Sequence, residues 1–194
     1  ILQTNPINSL NSIDDLLKSQ KSHTMGSIGR NSVGYIIQLS LQKYLKNPLI
    51  SVNYKGAAQT MQDLLGNHID LYPTWAIDGI GFVQSGRLKP LAVSDKIKGM
   101  PKNVPTFVEL ALDMPQGTFF MVFVNPQIRP EDLSFVQKTL LDIFKSEYND
   151  WIESLMVSKP SGDKEITNKI YNDRIGYYQK LSKDPRYTVL REKD

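Results

Sequence analysis

Apolar and polar residues follow one another in short runs that alternate between strand-like and helix-like segments. β-prone apolar runs predict strands at residues 25–28, 49–54, 69–72 and 88–93. Helices are predicted between these runs, at residues 33–45, 60–65 and 77–84. Short repeated βα units of this kind are typical of an α/β fold with a largely parallel sheet.

Helix boundaries can be read from capping residues. Ser12 precedes Asp14 and Asp15, which predicts a helix start with a serine cap and acids that complement the helix dipole. Gly66 and Asn67 follow an apolar run and predict a left-handed helix end.

The second half of the chain has longer helical patterns. A short helix is predicted at residues 107–111 and a strand at residues 118–124. Pro130 opens a long amphipathic helix, whose predicted buried face comprises Leu133, Val136, Leu140, Ile143 and Phe144. A last helix is expected to end near residue 181.

Composition narrows the range of functions. The hydrophobic fraction is 40% and the charged fraction 22%, which is typical of a globular protein. A balance of 23 basic against 20 acidic residues is too even to indicate nucleic acid as a partner. The chain has no cysteine, so disulfides, thiolate nucleophiles and cysteine metal sites are excluded.

Residues with catalytic or metal-binding potential are sparse. His23 and His68 lie far apart in the sequence, and neither has a second ligand at metal-site spacing, so we expect both at the surface or in loops. The chain contains neither a nucleophile elbow nor a phosphate-binding Gly-Lys-Ser/Thr loop. We therefore predict no enzymatic activity, no metal and no cofactor.

The loop from Gly26 to Ser32 joins a predicted strand to a helix N-terminus. Unpaired N–H groups and the helix dipole favour an anion there. Gly26 and Gly29 allow close backbone approach, and Ser27 or Ser32 can add a hydroxyl donor. A plain turn in which Ser32 caps the helix fits equally well, so both interpretations stay open.

Two further strand ends carry candidate residues. Lys55 can attract an anion, although an exposed, solvated lysine is the expected state. Trp75 follows the strand predicted at residues 69–72, where open α/β sheets place ligands. Its ring can line a cleft or plug the core, and the sequence does not decide between these alternatives.

Several tracts in series resemble a known family. Residues 52–70, VNYKGAAQTMQDLLGNHID, are similar to the tract VPYKGGGPALTDLLGGQVD of the Bug family, the extracytoplasmic receptors of tripartite tricarboxylate transporters. Residues 85–94, SGRLKPLAVS, resemble its AGKLRALAVTS, and residues 26–32 align with its GSSGNGT. Asn103 to Thr106 followed by Glu109 resembles its DVPTVAEAG.

The resemblance implies a periplasmic-binding-protein-like fold of type II, with two α/β domains around a cleft. Residues 1–114 would form the complete second domain, and residues 115–194 the C-terminal part of the first. The front part of the first domain would be missing, which agrees with Ile1 standing where an initiator methionine would be expected.

The implied function is a periplasmic solute-binding receptor that captures a small organic carboxylate for the membrane subunits of a transporter. The implied ligand-binding residues are Ser27, Gly29, Arg30, Asn31, Ser32, Thr74 and Trp75. The loop from Gly26 to Ser32 would hold one carboxylate through its backbone amides and through the Ser32 hydroxyl, which stands where the family has threonine.

Departures from the family leave the ligand open. Arg30 and Asn31 replace a common Asn-Gly, and Thr74 and Trp75 replace a common Asp-Asn. Arg30 is a candidate for a bidentate contact to a second carboxylate through its planar guanidinium. The alternative function is a receptor-derived sensory or protein-interaction module. In either case the exposed surface of an incomplete first domain predicts self-association or pairing with the missing N-terminal segment.

Overall fold

The computed structural model describes residues 1–30, 32–115, 122–145 and 164–183 of the 194-residue chain. The strands are β1 (Leu2–Thr4), β2 (His23–Ser27), β3 (Leu49–Asn53), β4 (Tyr72–Pro73) and β5 (Lys89–Ala92). The helices are α1 (Ile13–Lys18), α2 (Val33–Gln42), α3 (Ala57–Leu65), α4 (Ala76–Gln84), α5 (Pro130–Lys145) and α6 (Lys164–Lys183).

The strands form two small sheets that meet at one bridge. β2 and β3 are parallel, whereas β1 pairs antiparallel with both β4 and β5. A parallel bridge between Met25 and Leu71 joins the two sheets, with a 2.9 Å hydrogen bond from the Gly26 N–H to the Leu71 carbonyl. The pairing is parallel between β2 and β3 and at the bridge, and it is antiparallel around β1, a strand that the sequence did not predict.

Helices cover the two faces of this strand layer. On one face α1 and α2 pack around Met25, with Leu16 and Leu41 fully buried. On the other face α3 contributes Met61 and Leu64 to a second cluster. Side chains of neighbouring strand residues point to opposite faces, so Gly26 faces α3.

Gly26 has a packing reason to be glycine. An added Cβ would overlap the Thr60 side chain and lie 2.7 Å from Ile69 Cδ1. Only a glycine therefore lets α3 lie this close to β2.

The start of α1 matches the prediction. Ser12 Oγ accepts a 3.2 Å hydrogen bond from the Asp15 N–H, and Asp15 Oδ2 accepts one of 2.9 Å from the Ser12 N–H. Hydrogen bonds from the Asn11 and Ser12 backbone hold the pKa of Asp15 below its usual value. At the end of α3 it is Asn67, with φ of 56°, that takes the left-handed conformation, whereas Gly66 stays right-handed.

A polar network fixes the first strand of the parallel pair. Asp70 Oδ2 accepts hydrogen bonds from the Thr24 N–H at 2.8 Å and from Thr24 Oγ1 at 2.9 Å, and Asp70 Oδ1 accepts one from Asn8. His23 lies beside it, buried, with Nε2 2.8 Å from Ser19 Oγ. The expected surface position is correct for His68 and wrong for His23, because strand pairing carries His23 inward.

The segment before the long helices departs from its prediction. Residues 107–111 form consecutive turns rather than a helix, because Thr106 pairs with Val93 and Ala111 takes a left-handed φ of 52°. Residues 118–121 lie outside the described part. Residues 122–124 are exposed and form no strand.

α5 begins at Pro130 as predicted, and α6 ends within two residues of its predicted end. The predicted buried face of α5 is wrong for the described residues: Leu133, Val136 and Leu140 are half-buried and Ile143 is exposed, while the Phe144 side chain lies outside the description. In the described part of the chain no element packs closely enough to cover this face.

None of the described helices is long and apolar enough to cross a membrane.

Candidate functional site

Three parallel chain segments end at the same edge of the strand layer. β2 ends at Ser27, β3 at Asn53 and β4 at Pro73. A helix follows each of them, so the N-termini of α2, α3 and α4 all lie at this edge. This is where open α/β sheets form ligand crevices, because connections leave the strands toward opposite faces.

The loop after β2 is held from both sides. Ser27 Oγ donates a 2.7 Å hydrogen bond to Asn53 Oδ1, which ties the end of β2 to the end of β3. The Gly29 carbonyl accepts hydrogen bonds from the Ser32 N–H at 3.1 Å and from Ser32 Oγ at 2.7 Å. Gly29 itself has a φ of 113°, which a residue with a side chain would adopt only under strain.

Ser32 caps α2, which was one of the two open interpretations. Its Oγ accepts a 3.2 Å hydrogen bond from the Tyr35 N–H while its proton is directed to Gly29. The Ser32 hydroxyl is therefore already engaged on both sides. A ligand could receive this proton only if the Gly29 contact were given up.

Free donors are present in the first turn of α2. The N–H groups of Val33 and Gly34 have no hydrogen-bond partner among the described residues. An added Cβ on Gly34 would lie 3.4 Å from Pro73 Cγ, so this turn abuts the end of β4. Unpaired amides and the positive end of the helix dipole favour an anion at this position.

Thr74 and Trp75 follow β4 with opposite environments. Thr74 is buried, and its Oγ1 accepts a 2.8 Å hydrogen bond from Gln3 Nε2 on β1. Trp75 is the N-cap residue of α4 and its side chain is 48% exposed. The ring therefore does not plug the core, and the cleft-lining interpretation stays a prediction.

Both basic and acidic residues lie near this edge. Arg30 and Lys55 are both exposed, as expected for Lys55. Arg30 forms no ion pair with any described residue. Asp78 in the first turn of α4 is the acid nearest in sequence to Trp75. Asn31 lies outside the described residues.

Sequence reasoning missed two residues that shape this edge. Asn53 anchors Ser27, and Tyr54 donates a 2.7 Å hydrogen bond to Asp63 Oδ2 on α3. Burial, together with the hydrogen bond and the charge of Asp63, raises the pKa of Tyr54 to about 12. Their positions, at the last residue of a parallel strand and directly after it, were the only available signal.

Metal binding finds no support in the described residues, since no three His, Asp or Glu side chains there are grouped as ligands. The arrangement instead offers uncharged N–H donors at a helix N-terminus. Such donors suit an oxyanion of the size of a carboxylate.

Comparison with known proteins identifies the family. The sequence profile described as "Tripartite tricarboxylate transporter family receptor" (TctC) matches residues 2–156. No curated protein sequence matches the chain at a significant level.

Solved structures share the fold. A TctC solute binding protein from Polaromonas superposes with a TM-score of 0.74 at 21% identity, covering 94% of this chain and 65% of that one. An R. palustris protein solved with adipate gives 0.76 at 17% identity, with 94% and 64% covered. MatC from Rhodopseudomonas palustris, solved with malate, gives 0.71 at 15% identity, with 93% and 65% covered.

The chain thus spans about 65% of the length of these structures. They confirm the predicted α/β fold of the periplasmic binding proteins, and the matched profile describes receptors rather than enzymes. Because that profile covers most of the sequence and agrees with the fold, the chain belongs to the tripartite tricarboxylate transporter receptor family.

Proposed function

We propose that this protein is a periplasmic solute-binding receptor that captures a small organic carboxylate for the membrane subunits of a tripartite transporter. The observation that carries the proposal is the first turn of α2, where the Val33 and Gly34 amides lack described partners at the edge where three parallel segments end. A carboxylate oxygen can accept from both amides at once.

The related structures support the ligand class. Two of them contain adipate and malate, both small organic acids. The basic residues Arg30 and Lys55 add a favourable field for an anion approaching this edge.

The proposed contacts to the ligand can be ranked by which donors have no hydrogen-bond partner among the described residues. The amides of Val33 and Gly34 come first, because their N–H groups point out of the helix start. Arg30 can reach a distal carboxylate from its exposed position. Ser32 and Ser27 hold the loop in shape through their own hydrogen bonds. Gly29, Asn31, Thr74 and Trp75 complete the proposed lining of the site.

Deleting a single amide tests the proposal. Val33 is the first helical residue, where proline is tolerated, and Ser32 has an extended backbone (φ −84°, ψ 152°) that suits a residue before proline. Val33→Pro therefore removes one N–H with little change to the helix. We expect it to weaken adipate or malate binding about tenfold or more, since a hydrogen bond to a charged group is lost.

Val33→Ala is the matched control, because it removes the side chain and keeps the N–H. Its affinity should stay within about threefold of the unaltered protein. Calorimetry on the full chain decides the matter. Equal affinities of Val33→Pro and Val33→Ala, or no binding of either acid, would contradict the proposed site.

We further propose that residues 1–114 form one complete domain and that residues 115–194 belong to another. Among the described residues, every member of the three buried core clusters lies between Ile1 and Met114, which supports this division. Limited proteolysis should cut first after residue 115 and leave the preceding part intact. Early cleavage inside residues 1–114 would contradict the division.

The exposed apolar residues Val122, Phe123 and Phe135 support self-association, or pairing with a segment that completes the first domain. Large exposed apolar residues, where they form a patch, mark interfaces in soluble proteins. Light scattering should find species larger than a monomer, and Phe135→Glu should reduce them. A concentration-independent monomer would rule out self-association.

A sensory or protein-interaction module is the alternative function that this exposed apolar surface would favour.

A further inference from the structure

β3 forms an outer edge of the strand layer, because among the described strands it pairs only with β2. The Tyr54 N–H donates a 2.8 Å hydrogen bond to the Ser27 carbonyl of β2. Even-numbered residues of β3 therefore turn their backbone N–H and C=O groups toward β2. Since successive residues of a strand turn these groups to opposite sides, Leu49, Ser51 and Asn53 turn theirs outward.

The start of this outer edge is capped by α2. The Leu49 N–H donates a 2.7 Å hydrogen bond to Gln42 Oε1, and the Leu49 carbonyl accepts one of 3.2 Å from Gln38 Nε2. The outward N–H and C=O groups of Ser51 and Asn53 have no such cap, and no described residue bonds to them. The edge of β3 is thus closed at its start and open at its end.

The open end lacks the features that usually protect an edge strand. Asn53 stands where the family tract VPYKG has proline, a residue without an N–H that commonly blocks such edges. The strand sequence LISVN contains no charged residue, and Ile50 is 51% exposed. An edge of this kind is a template for pairing with another strand.

The open edge is complementary to itself. When two copies pair antiparallel about a twofold axis at Val52, Ser51 of each copy lies opposite Asn53 of the other. Each of these pairs exchanges both of its N–H···O hydrogen bonds, so every open backbone group of the edge finds a partner. The exposed Ile50 then lies opposite Tyr54 of the second copy, and β-branched and aromatic residues form favourable cross-strand pairs.

We infer that the open edge of β3 binds a second copy of this chain, with the two β3 strands antiparallel about Val52. Neighbouring registers use the edge less well. Centring the pair on Ser51 places Asn53 opposite Leu49, whose backbone groups α2 already holds. Centring it on Asn53 places Ser51 opposite Lys55, beyond the end of the strand. The inference does not depend on the proposed carboxylate site.

Two substitutions of one residue isolate the outward N–H. Asn53→Pro removes it and Asn53→Ala keeps it, while both lose the side-chain bond to Ser27. Val52 lies in a strand, which suits a residue before proline. Both variants are made in the full chain with Phe135→Glu, so that association through α5 does not contribute. Sedimentation should show that Asn53→Pro weakens the dimer about tenfold or more relative to Asn53→Ala, because each copy loses a donor.

Amide hydrogen exchange of the Phe135→Glu chain gives a measurement without any change in β3. The Ser51 and Asn53 amides should exchange several-fold more slowly in concentrated than in dilute protein, because dimerisation pairs them. The Val33 and Gly34 amides, which also lack described partners, serve as the control and should exchange at the same rate at both concentrations.

The outcomes decide between a second copy and other occupants of the edge. Concentration-dependent protection of Ser51 and Asn53, with a dimer that Asn53→Pro weakens and Asn53→Ala retains, supports the inference. A monomer at every concentration, or dimers of equal strength in the two variants, overturns it. Slow exchange of both amides in dilute monomer would mean that the same chain covers the edge, which also overturns it. The carboxylate site is tested separately by Val33→Pro.

Discussion

The described chain contains two regions whose sequences have similar apolar patterns but whose residues are buried to different extents. The sheet region, residues 1–115, holds every buried residue of the described chain, whereas the helical region, residues 122–145 and 164–183, holds none. Both regions contain amphipathic helices. Only in the sheet region does each apolar face meet a strand layer, so α2 and α3 bury leucines that α5 cannot.

The comparison shows what amphipathic periodicity can and cannot predict. It marks the face of a helix that is suited to burial, but the burial itself depends on a second surface. In the helical region the described contacts are peripheral, such as the edge-on pair of Phe123 and Tyr171, with ring centroids 6.1 Å apart. A helix of this kind keeps an unused apolar face until another surface covers it.

The largest expected difference comes from truncating one phenylalanine in each region. Phe107 is 5% exposed within the main core cluster, whereas Phe135 on α5 is 72% exposed. Phe107→Ala should lower the free energy of unfolding by about 3–5 kcal/mol through lost burial and a residual cavity. In protein dilute enough to be monomeric, Phe135→Ala should change it by about 0.5 kcal/mol or less.

Urea unfolding followed by circular dichroism measures both variants. A large loss for Phe135→Ala would mean that a partner surface covers α5 in solution. That result would end the contrast between the two regions.

A smaller difference in the free energy of unfolding is expected when one aspartate in each region is replaced by asparagine. Asp70 accepts three hydrogen bonds, from Thr24 N–H, Thr24 Oγ1 and Asn8 Nδ2. Asp70→Asn presents an amide N–H₂ group to a donor and should cost about 2 kcal/mol. Asp132 in α5 pairs with the exposed Arg129, so Asp132→Asn should cost about 0.5 kcal/mol or less.

The same denaturation experiment checks the aspartates. Equal losses for the two variants would indicate that the Asp70 network is no more stabilising than a surface pair. The contrast between the regions would then rest on apolar burial alone.

Sequence patterns located most helices and strands of the sheet region, because each has its own periodicity and caps. Ser12 predicted the start of α1, and Pro130 predicted the start of α5. β1 could not be predicted, since Leu2–Thr4 has one apolar residue and its burial comes from pairing on both sides. The turns at residues 107–111 depend on the distant partner of Thr106, Val93.

The candidate site could be predicted only in part, because some of its contacts are local in the sequence and others are distant. Glycine and serine in the loop from Gly26 to Ser32 indicate a turn before a helix, which is local information. The partner of Ser27 is Asn53, and the partner of Thr74 is Gln3, and both pairs are distant in sequence. Whether a hydroxyl is free for a ligand therefore becomes visible only in the fold.

Replacing a serine near the start of a helix by alanine should have a different effect on stability in each region. Ser12 Oγ accepts from the Asp15 N–H as the cap of α1, so Ser12→Ala should cost about 1 kcal/mol. Ser134 Oγ donates to the Pro130 carbonyl inside α5, and alanine has the higher helix propensity. Ser134→Ala should therefore be neutral or stabilise by about 0.5 kcal/mol. Thermal unfolding of both variants measures the difference, and a matching loss for Ser134→Ala would contradict it.

The smallest effect is expected for the ion pair that connects the two regions. Lys180 Nζ on α6 lies 3.9 Å from Asp113 Oδ2, and both side chains are mostly exposed. An exposed pair at this distance is screened by water and salt, so Lys180→Met should change the free energy of unfolding by about 0.5 kcal/mol or less. Asp113 keeps its own link to the sheet region in that variant, because its N–H donates a 2.7 Å hydrogen bond to the Tyr44 hydroxyl. Urea unfolding at low and high salt should give the same value for Lys180→Met, while the unaltered protein loses at most a small increment at high salt. A loss above about 1 kcal/mol would mean that α6 is coupled to the sheet region through more than this pair. The two regions would then unfold as one unit. The surface that covers the exposed apolar face of α5 would in that case belong to the same chain.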